Sequence, residues 1–255
     1  MKSEELLRQQ LFPFEFDRHY SLKNFFVFEG NEAAFRSANL LCEEREGEGP
    51  PSLFLYGEAG CGKTHLLQAI GNALAEKNIR RVVKLLPLKL LRERLACSSN
   101  DEEGVSGTFK RYEGADALLV DDIEELASTP LLQEALFHLF NHFRERSKIF
   151  VATGKESPAE MSALSPHLTT RLGWGLAVKI GPPDESARKN ILKRLADERK
   201  LGLEEREMDF ILAHYPRDYS SMKRIVEAIN DYSLLTRRKI TVPLIKEACR
   251  TLKDI

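Results

Sequence analysis

The chain has 255 residues, of which 42% are hydrophobic and 30% are charged, a composition typical of soluble globular proteins. Lys and Arg number 38 and Asp and Glu number 39, which gives a net charge of −1. This charge excludes a protein held to nucleic acid by bulk positive charge alone, although it allows a local basic patch. No apolar run reaches the ~18–20 residues of a membrane span, and the first residues lack a secretory signal pattern. The four cysteines are scattered, which argues against a disulfide framework or a zinc site and favours the cytoplasm.

Five short apolar segments are predicted to be β-strands, and they cover Ser52–Tyr56, Arg81–Leu86, Ala117–Asp122, Lys148–Gly154 and Leu176–Ile180. Helical periodicity is found over 33–45 and 63–76, and a mixture of helix and loop is predicted over 88–114. The alternation of strand and helix predicts an α/β fold with a mainly parallel sheet.

The pattern changes after the sequence Gly181-Pro182-Pro183, because only helical periodicity follows it. A chain of this length is expected to form one large domain with at most a small second one, at about 150 residues per domain. We therefore predict an N-terminal arm over 1–19, an α/β domain over 20–181 and a small all-helical domain over 182–255.

The segment GEAGCGKT at 57–64 fits the pattern G-x-x-x-x-G-K-[ST] and lies between a predicted strand and a predicted helix, as a phosphate-binding P-loop requires. Its glycines allow backbone N–H groups to curl around phosphate oxygens in front of a helix N-terminus. A lysine at this position supplies charge for the β- and γ-phosphates, and the following hydroxyl is a ligand for Mg²⁺. His65 comes next and is assigned either to this site or, preferably, to packing. The predicted nucleotide-binding residues here are Gly57, Gly60, Cys61, Gly62, Lys63, Thr64 and His65.

Two adjacent carboxylates, Asp121 and Asp122, end the apolar segment ALLVDD. In a P-loop fold such a pair is expected beside the Mg²⁺ ion, where Asp121 would hold the metal through water. Asp122 would orient or activate the attacking water molecule. The alternative is that the pair simply caps a helix.

Three segments together resemble the AAA+ ATPase core of the DnaA family of bacterial replication proteins: GEAGCGKTHLLQAIGNAL, YEGADALLVDDIEEL and RLGWGLAVKIGPPD. The likeness runs from Tyr20 to Leu252, which is nearly the whole chain. It implies a P-loop AAA+ domain followed by a helical lid, with ATP or ADP and Mg²⁺ as cofactors. It leaves open whether the chain hydrolyses ATP weakly itself or stimulates hydrolysis by a partner.

The resemblance also implies further site residues. Arg171 falls at the position of the arginine finger, which reaches the nucleotide of a neighbouring molecule, although an isolated arginine is usually a solvated surface residue. Lys223 takes the place of the sensor 2 arginine, and a lysine cannot fork onto two phosphate oxygens. Thr153 is the candidate sensor 1 contact, where Gly154–Lys155 replaces the acidic residue of the family. Phe26 and Val27 match the segment that lines the adenine pocket, but core packing explains them equally well.

The arrangement resembles the Hda group within the DnaA family, since the sequence offers no duplex-binding domain after the lid. The segment QQLFPF at 9–14 resembles the clamp-binding peptide of this group, with Gln9, Phe12, Pro13 and Phe14 as contacts, and an alternative register begins at Gln10. The resemblance implies docking on the DNA polymerase III sliding clamp and on DnaA, self-association through AAA+ interfaces, and no sequence-specific duplex binding. The alternative for the peptide is packing on the ATPase core.

Two other functions compete with a regulator of this kind. A helicase loader or initiator fragment would bind single-stranded DNA through 88–112, which contains Lys89, Arg92, Arg94, Lys110 and Arg111. Those cations are interleaved with acidic residues, so only weak binding is expected. A stand-alone small-molecule kinase would need an acceptor pocket, for which the sequence gives no sign.

Overall fold

The computed structural model describes residues 16–43, 52–96 and 102–250. Within these ranges the strands are β1 (Ser52–Tyr56), β2 (Val83–Pro87), β3 (Ala117–Asp121), β4 (Ile149–Gly154) and β5 (Leu176–Lys179). The helices of the first unit are α1 (Glu32–Glu43), α2 (Lys63–Lys77), α3 (Leu88–Ala96), α4 (Glu102–Lys110), α5 (Pro130–Glu145) and α6 (Pro166–Leu172), with a 3-10 helix at Ile123–Leu126. The helices of the second unit are α7 (Glu185–Glu198), α8 (Glu205–His214), α9 (Tyr219–Thr236) and α10 (Val242–Cys249).

The five strands form one sheet in the order β2-β3-β4-β1-β5, and every neighbouring pair is parallel. The predicted α/β fold with a parallel sheet is therefore confirmed. The third strand ends one residue earlier than predicted, because Asp122 has a left-handed φ of 60° and starts the 3-10 helix. The carboxyl ends of β1, β3 and β4 lie at one edge of the sheet, which is where ligands bind in such folds.

Each central strand sends alternate side chains to opposite faces of the sheet, as the two-residue period of a strand requires. In β1, Phe54 belongs to the apolar cluster on one face, whereas Leu53 and Leu55 belong to the cluster on the other face. All five residues of β3 are buried, as expected of a strand covered by helices on both sides. Helix α2, which follows the P-loop, packs into the second cluster through Leu66, Leu67, Ile70 and Leu74.

The segment at 16–25, which precedes the first helix, lies along α2. Phe16 packs so closely on α2 that a Cβ atom at Gly71 would lie 2.1 Å from its ring. The backbone N–H of Asp17 donates to Gln68 Oε1 at 2.9 Å, and Asn72 donates to the carbonyls of Asp17 and Tyr20. Phe16 and Asp17, which belong to the predicted N-terminal arm, are thus attached to α2.

The chain divides into two compact units between Gly181 and Pro182. The second unit is helical and has its own core, built from residues such as Ile211, Ile225 and Leu244. Asp218 caps the start of helix α9, and its carboxylate accepts a hydrogen bond from the N–H of Ser221 at 2.9 Å. Among the described residues, no helix is both long enough and apolar enough to span a membrane.

Candidate nucleotide-binding site

The P-loop joins β1 to α2 through three glycines with positive φ: 153° at Gly57, 77° at Gly60 and 103° at Gly62. A Cβ atom at Gly57 would lie 2.1 Å from the carbonyl oxygen of Ile180, so only glycine fits at the start of the loop. Gly62 is the N-cap of α2 and provides no side-chain cap. The first N–H groups of α2 are consequently available to an anion in front of the helix.

Lys63 lies under the loop with only 7% of its surface exposed. Its Nζ atom donates to the carbonyl oxygens of Gly57 at 2.7 Å and Glu58 at 2.9 Å. The ammonium group is thus held at the mouth of the loop by neutral acceptors. A bound phosphate chain can attract it more strongly, because hydrogen bonds between charged partners are about twice as strong as neutral ones.

Cys61 packs its side chain below the loop, in the same apolar cluster as α2. Burial raises the pKa of its thiol above the ordinary value, although Lys63 opposes this shift. A thiol in these surroundings stays protonated at neutral pH. Cys61 therefore contributes its backbone to the loop rather than a nucleophile.

A second group of polar side chains lies at the ends of β3 and β4. Asp121 is 7% exposed, and Thr153 donates its hydroxyl hydrogen to Asp121 Oδ1 at 2.5 Å. Burial raises the pKa of Asp121, while hydrogen bonds from Thr153 and Thr64 lower it by a smaller amount. The P-loop hydroxyl of Thr64 and the Asp121 carboxylate are thus brought together.

These oxygens suit Mg²⁺, which prefers a few carboxylate or hydroxyl ligands completed by phosphate oxygens and water. Among the described residues, no three His, Cys, Asp or Glu side chains are close enough to form a metal site by themselves. The Thr64 and Asp121 pair therefore fits a Mg²⁺–nucleotide complex better than a metal ion held by protein alone.

Asp122 occupies the turn directly after β3 in a left-handed conformation, and its N–H donates to the Thr153 hydroxyl at 3.0 Å. Its side chain makes no capping hydrogen bond to the 3-10 helix, so the helix-cap alternative is not supported. Burial, together with the charges of Asp121 and Glu124, raises the pKa of Asp122 to about 6. A carboxylate with a pKa in this range is suited to accept a proton from water near neutral pH.

The Nζ atom of Lys155, which follows the end of β4, lies 3.5 Å from Glu124 Oε1. The lysine side chain is exposed, whereas that of Glu124 is largely buried. The lysine brings a positive charge to the acidic group that contains Asp122 and Glu124. The contact joins two elements that follow different strands, so the sequence alone does not indicate it.

The segment before α1 presents side chains alternately to the core and to solvent. Phe25 is buried, its ring lies against Phe35 at 5.8 Å between centroids, and a Cβ atom at Gly62 would lie 3.3 Å from it. Phe26 is half-buried and Val27 is 38% exposed. Phe25, which sequence analysis did not single out, is therefore the aromatic residue that supports the loop. Phe26 and Val27 remain candidates for the adenine contact.

His65 packs between aromatic rings. Its ring centroid lies 4.8 Å from that of Tyr20 and 5.1 Å from that of Phe25, and its Nε2 atom lies 3.1 Å from Asn24 Oδ1. These contacts tie residues 20–25 to the start of α2. They favour the packing interpretation of His65.

Arg171 lies in the last turn of α6, and its guanidinium carbon lies 3.6 Å from the ring centroid of Trp174. None of the contacts found among the described residues joins it to the P-loop. Lys223 is half-buried on α9 of the second unit. The candidate clamp-binding residues Gln9, Phe12, Pro13 and Phe14 lie outside the described residues.

The strand order, the P-loop and the separate helical unit define the class of this protein: a P-loop AAA+ nucleotide-binding fold followed by a helical lid. A family model described as the bacterial DnaA ATPase domain matches residues 16–179, which is more than half of the chain. The chain therefore belongs to the bacterial DnaA ATPase domain family. A second model, described as the lid domain of Hda, matches residues 184–249.

Solved structures of DnaA are similar to this chain. Domain III of the replication initiation protein DnaA from Thermotoga maritima shares 28% identity, with a TM-score of 0.80 over 94% of this chain and 98% of that one. AMPPCP-bound DnaA from Aquifex aeolicus shares 27% identity, with a TM-score of 0.71 over 85% of this chain and 66% of that one. A replication initiator DnaA bound to AMPPCP and single-stranded DNA shares 27% identity, with a TM-score of 0.72 over 88% and 69%.

Proposed function

We propose that the chain is a DnaA-related regulator of DNA replication that binds ATP or ADP with Mg²⁺ in the P-loop site. The observation that carries this proposal is the succession of a DnaA ATPase domain and an Hda lid domain along one chain. The geometry agrees with it, because Lys63, Thr64 and Asp121 meet at the mouth of a glycine loop. Two of the similar DnaA structures contain AMPPCP, a nucleotide analogue.

In this proposal the chain acts mainly on the nucleotide that is bound to a DnaA molecule, and less on the nucleotide in its own P-loop. Arg171 is offered to the ATP of the initiator, where a guanidinium stabilises the charge on the transferring phosphoryl group. Hydrolysis then inactivates the initiator and prevents a second round of initiation. Among the described residues, the Arg171 side chain makes no hydrogen bond or ion pair, so its Nη groups have hydrogens to donate to a phosphate.

The sliding clamp is the second proposed partner, bound through the segment at 9–14. A short extended motif with a glutamine and two aromatic residues suits an apolar groove with a hydrogen-bonding rim. Phe16, which anchors the chain to α2, follows the motif by only two residues. Clamp binding would therefore place the ATPase domain next to the clamp, since two residues span at most about 7 Å.

Clamp binding is tested with the purified chain and the sliding clamp of its own organism. The wild type is expected to bind with micromolar or tighter affinity, and a Gln9→Ala, Phe12→Ala, Phe14→Ala variant is expected to lose that binding. Gln10→Ala separates the two registers, because it should be harmless if the motif begins at Gln9. Absence of binding by the wild type, with and without ADP or ATP, would contradict the clamp as a partner.

The action on DnaA is tested by measuring hydrolysis of ATP that is preloaded on DnaA, in the presence of DNA-loaded clamp. We expect Arg171→Ala to bind nucleotide normally and to lose the stimulation of hydrolysis. Arg146→Ala is the matched control, because Arg146 is exposed at the end of α5 and bonds only to its own helix and Glu145. Normal stimulation by Arg171→Ala would show that this residue does not act as the arginine finger.

A second function, binding of single-stranded DNA, is favoured by one observation: a similar DnaA structure contains single-stranded DNA. The described parts of the segment proposed for this contact contain α3 and α4. One of its cations, Arg92, is paired with Glu125 at 2.8 Å, whereas Lys89 and Lys110 are exposed. Salt-dependent binding of an oligonucleotide that is lost in Lys110→Gln, Arg111→Gln but kept in Arg146→Gln would favour this function.

A further inference from the structure

Trp174 lies between two arginine side chains. The guanidinium carbon of Arg171 is 3.6 Å from the ring centroid and that of Arg144 is 3.9 Å from it. Two planar cations at these distances cannot share one face of a ring without overlapping, so they lie on opposite faces. The indole is 47% exposed, which means that its edge faces solvent while both faces are covered.

The stack connects three elements of the first unit. Arg144 lies in the last turn of α5, Arg171 lies in the last turn of α6, and Trp174 follows α6 in the turn before β5. Phe137 of α5 adds a second ring on the Arg171 side, 5.5 Å from the guanidinium carbon. The guanidinium of Arg171 is thus held by aromatic surface from two directions.

Stacking holds a guanidinium group in a different way from an ion pair. All five N–H bonds of arginine lie in the plane of the group, so contact through the flat face orients the plane and leaves the donors unused. A carboxylate partner would also hold the side chain, but it would occupy the same donors. Within the described residues, neither Arg144 nor Arg171 is paired with a carboxylate. The Nε atom of Arg171 is buried and has no hydrogen-bond partner, so the Nη groups are the donors that a phosphate could reach.

We propose that Trp174 and Arg144 are positioning residues that hold the Arg171 guanidinium in place with its donors free for a phosphate group of a partner molecule. Arg144 fixes the indole from its other face and adds positive charge beside the contact. The inference rests on the proposed function, because Arg171 needs positioning only if it reaches a partner's nucleotide. Long side chains lose rotamer freedom on binding, and a stack formed in advance removes part of that cost.

The stack itself can be tested on the isolated chain, because Trp174 is the single tryptophan. Two cations against the indole attract iodide, so iodide should quench its fluorescence more strongly, relative to neutral acrylamide, than it quenches an isolated indole. We expect this ratio to fall in Arg171→Ala and in Arg144→Ala and to stay unchanged in Arg146→Ala. An unchanged ratio in Arg171→Ala would overturn the proposal.

The positioning role is tested by titrating each variant into ATP-loaded DnaA with DNA-loaded clamp. Trp174→Ala is expected to lower the maximal rate of hydrolysis by about ten- to a hundredfold, because an Arg171 guanidinium that is out of position stabilises the transferring phosphoryl group much less. The concentration for half-maximal stimulation should stay unchanged. Trp174→Phe keeps a flat ring and should restore most of the rate, and Arg144→Ala should lower the maximal rate more than Arg146→Ala does.

The outcomes separate the two proposals. If Arg171→Ala abolishes stimulation while Trp174→Ala and Arg144→Ala do not lower the maximal rate, the positioning role is wrong and the role of Arg171 stands. If Trp174→Ala raises the half-maximal concentration instead, Trp174 serves docking and the positioning role is again wrong. If Arg171→Ala stimulates normally, both proposals fail. Normal ADP binding by each variant shows that it has folded.

Discussion

Thr153 connects the ends of two neighbouring strands, because its hydroxyl group donates to Asp121 Oδ1 at 2.5 Å and accepts from the N–H of Asp122 at 3.0 Å. One hydroxyl group therefore fixes the carboxylate that is proposed to hold Mg²⁺ and the backbone of the residue that is proposed to act on water. Thr153 itself is completely buried. A polar group in this position has to be satisfied by its neighbours, since no water reaches it.

Replacement of Thr153 by valine tests this connection. Thr153→Val keeps the shape of the side chain but removes one of the hydrogen bonds to the Asp121 carboxylate and leaves the Asp122 N–H without its partner, which is expected to destabilise the chain by about 1–3 kcal/mol. The free energy of unfolding in urea measures this loss. Thr153→Ser is the control, since it keeps the hydroxyl group and should remain more stable than the valine variant. Equal stability of the valine variant and wild type would contradict a structural role for the hydroxyl.

Lys63 provides the second prediction, which concerns nucleotide affinity. In Lys63→Ala the P-loop loses its only ammonium group, and hydrogen bonds to charged groups contribute about 1.5–3 kcal/mol, so affinity for ADP should fall by about ten- to a hundredfold. Titration with a fluorescent ADP analogue measures the effect. Lys89→Ala, at an exposed position on α3, should bind as wild type does. A Lys63→Ala variant with unchanged affinity would place the nucleotide elsewhere.

The P-loop could be predicted from the sequence because all of its parts are local. Between Ser52 and Lys63 a strand is followed by a glycine turn and then by the lysine that begins the helix. Each residue type has a fixed role there. The strands could be predicted for the same reason, since each is a short apolar run. The end of β3 was misplaced by one residue because the left-handed turn at Asp122 leaves no clear mark on the apolar pattern.

The contacts between distant segments could not be predicted in this way. The hydrogen bond from Thr153 to Asp121 spans 32 positions and exists only because β3 and β4 are neighbours in the sheet. The attachment of Phe16 depends on Gly71 leaving room for its ring. The stack of Trp174 on Arg144 and Arg171 depends on where α5 and α6 end. Strand order and helix packing decide these contacts, and a single sequence does not state either directly.

The third prediction concerns Gly57, where a Cβ atom has no room, and its control is Gly107, where a Cβ atom has room. Gly57→Ala should disrupt the loop, because its φ is 153° and the new Cβ atom would lie 2.1 Å from the Ile180 carbonyl oxygen. Gly107 lies within α4, and a Cβ atom there meets nothing within 4 Å. Gly107→Ala should therefore stabilise the helix by about 0.5–1 kcal/mol. Both variants are tested by their affinity for ADP and by their unfolding in urea. If Gly57→Ala binds ADP as tightly as wild type does, the loop geometry is contradicted.

Asp218 gives a prediction about pH for the second unit. Partial burial raises the pKa of its carboxyl, but the hydrogen bonds from Ser221 and from the backbone of Asp218 and Ser220 together lower it by more, so this pKa lies below its ordinary value of 3.8. The cap is therefore fully effective above pH 3.8 and is lost as the pH falls through the depressed pKa. At pH 7, Asp218→Ala should weaken α9 by about 1 kcal/mol, measured by hydrogen exchange of the amides in its first turn.

The same variant should differ less from wild type at pH 3 and below, because the wild-type carboxylate is then increasingly protonated and accepts more weakly. Asp218→Asn is the matched control, since its amide oxygen accepts the Ser221 N–H at both pH values and does not titrate. The start of α9 also contains Lys223, five positions after the cap, so a loosened first turn would disturb the segment proposed to sense the nucleotide. A difference between Asp218→Ala and wild type that is equally large at pH 7 and well below pH 3 would show that the carboxylate charge contributes nothing to the cap.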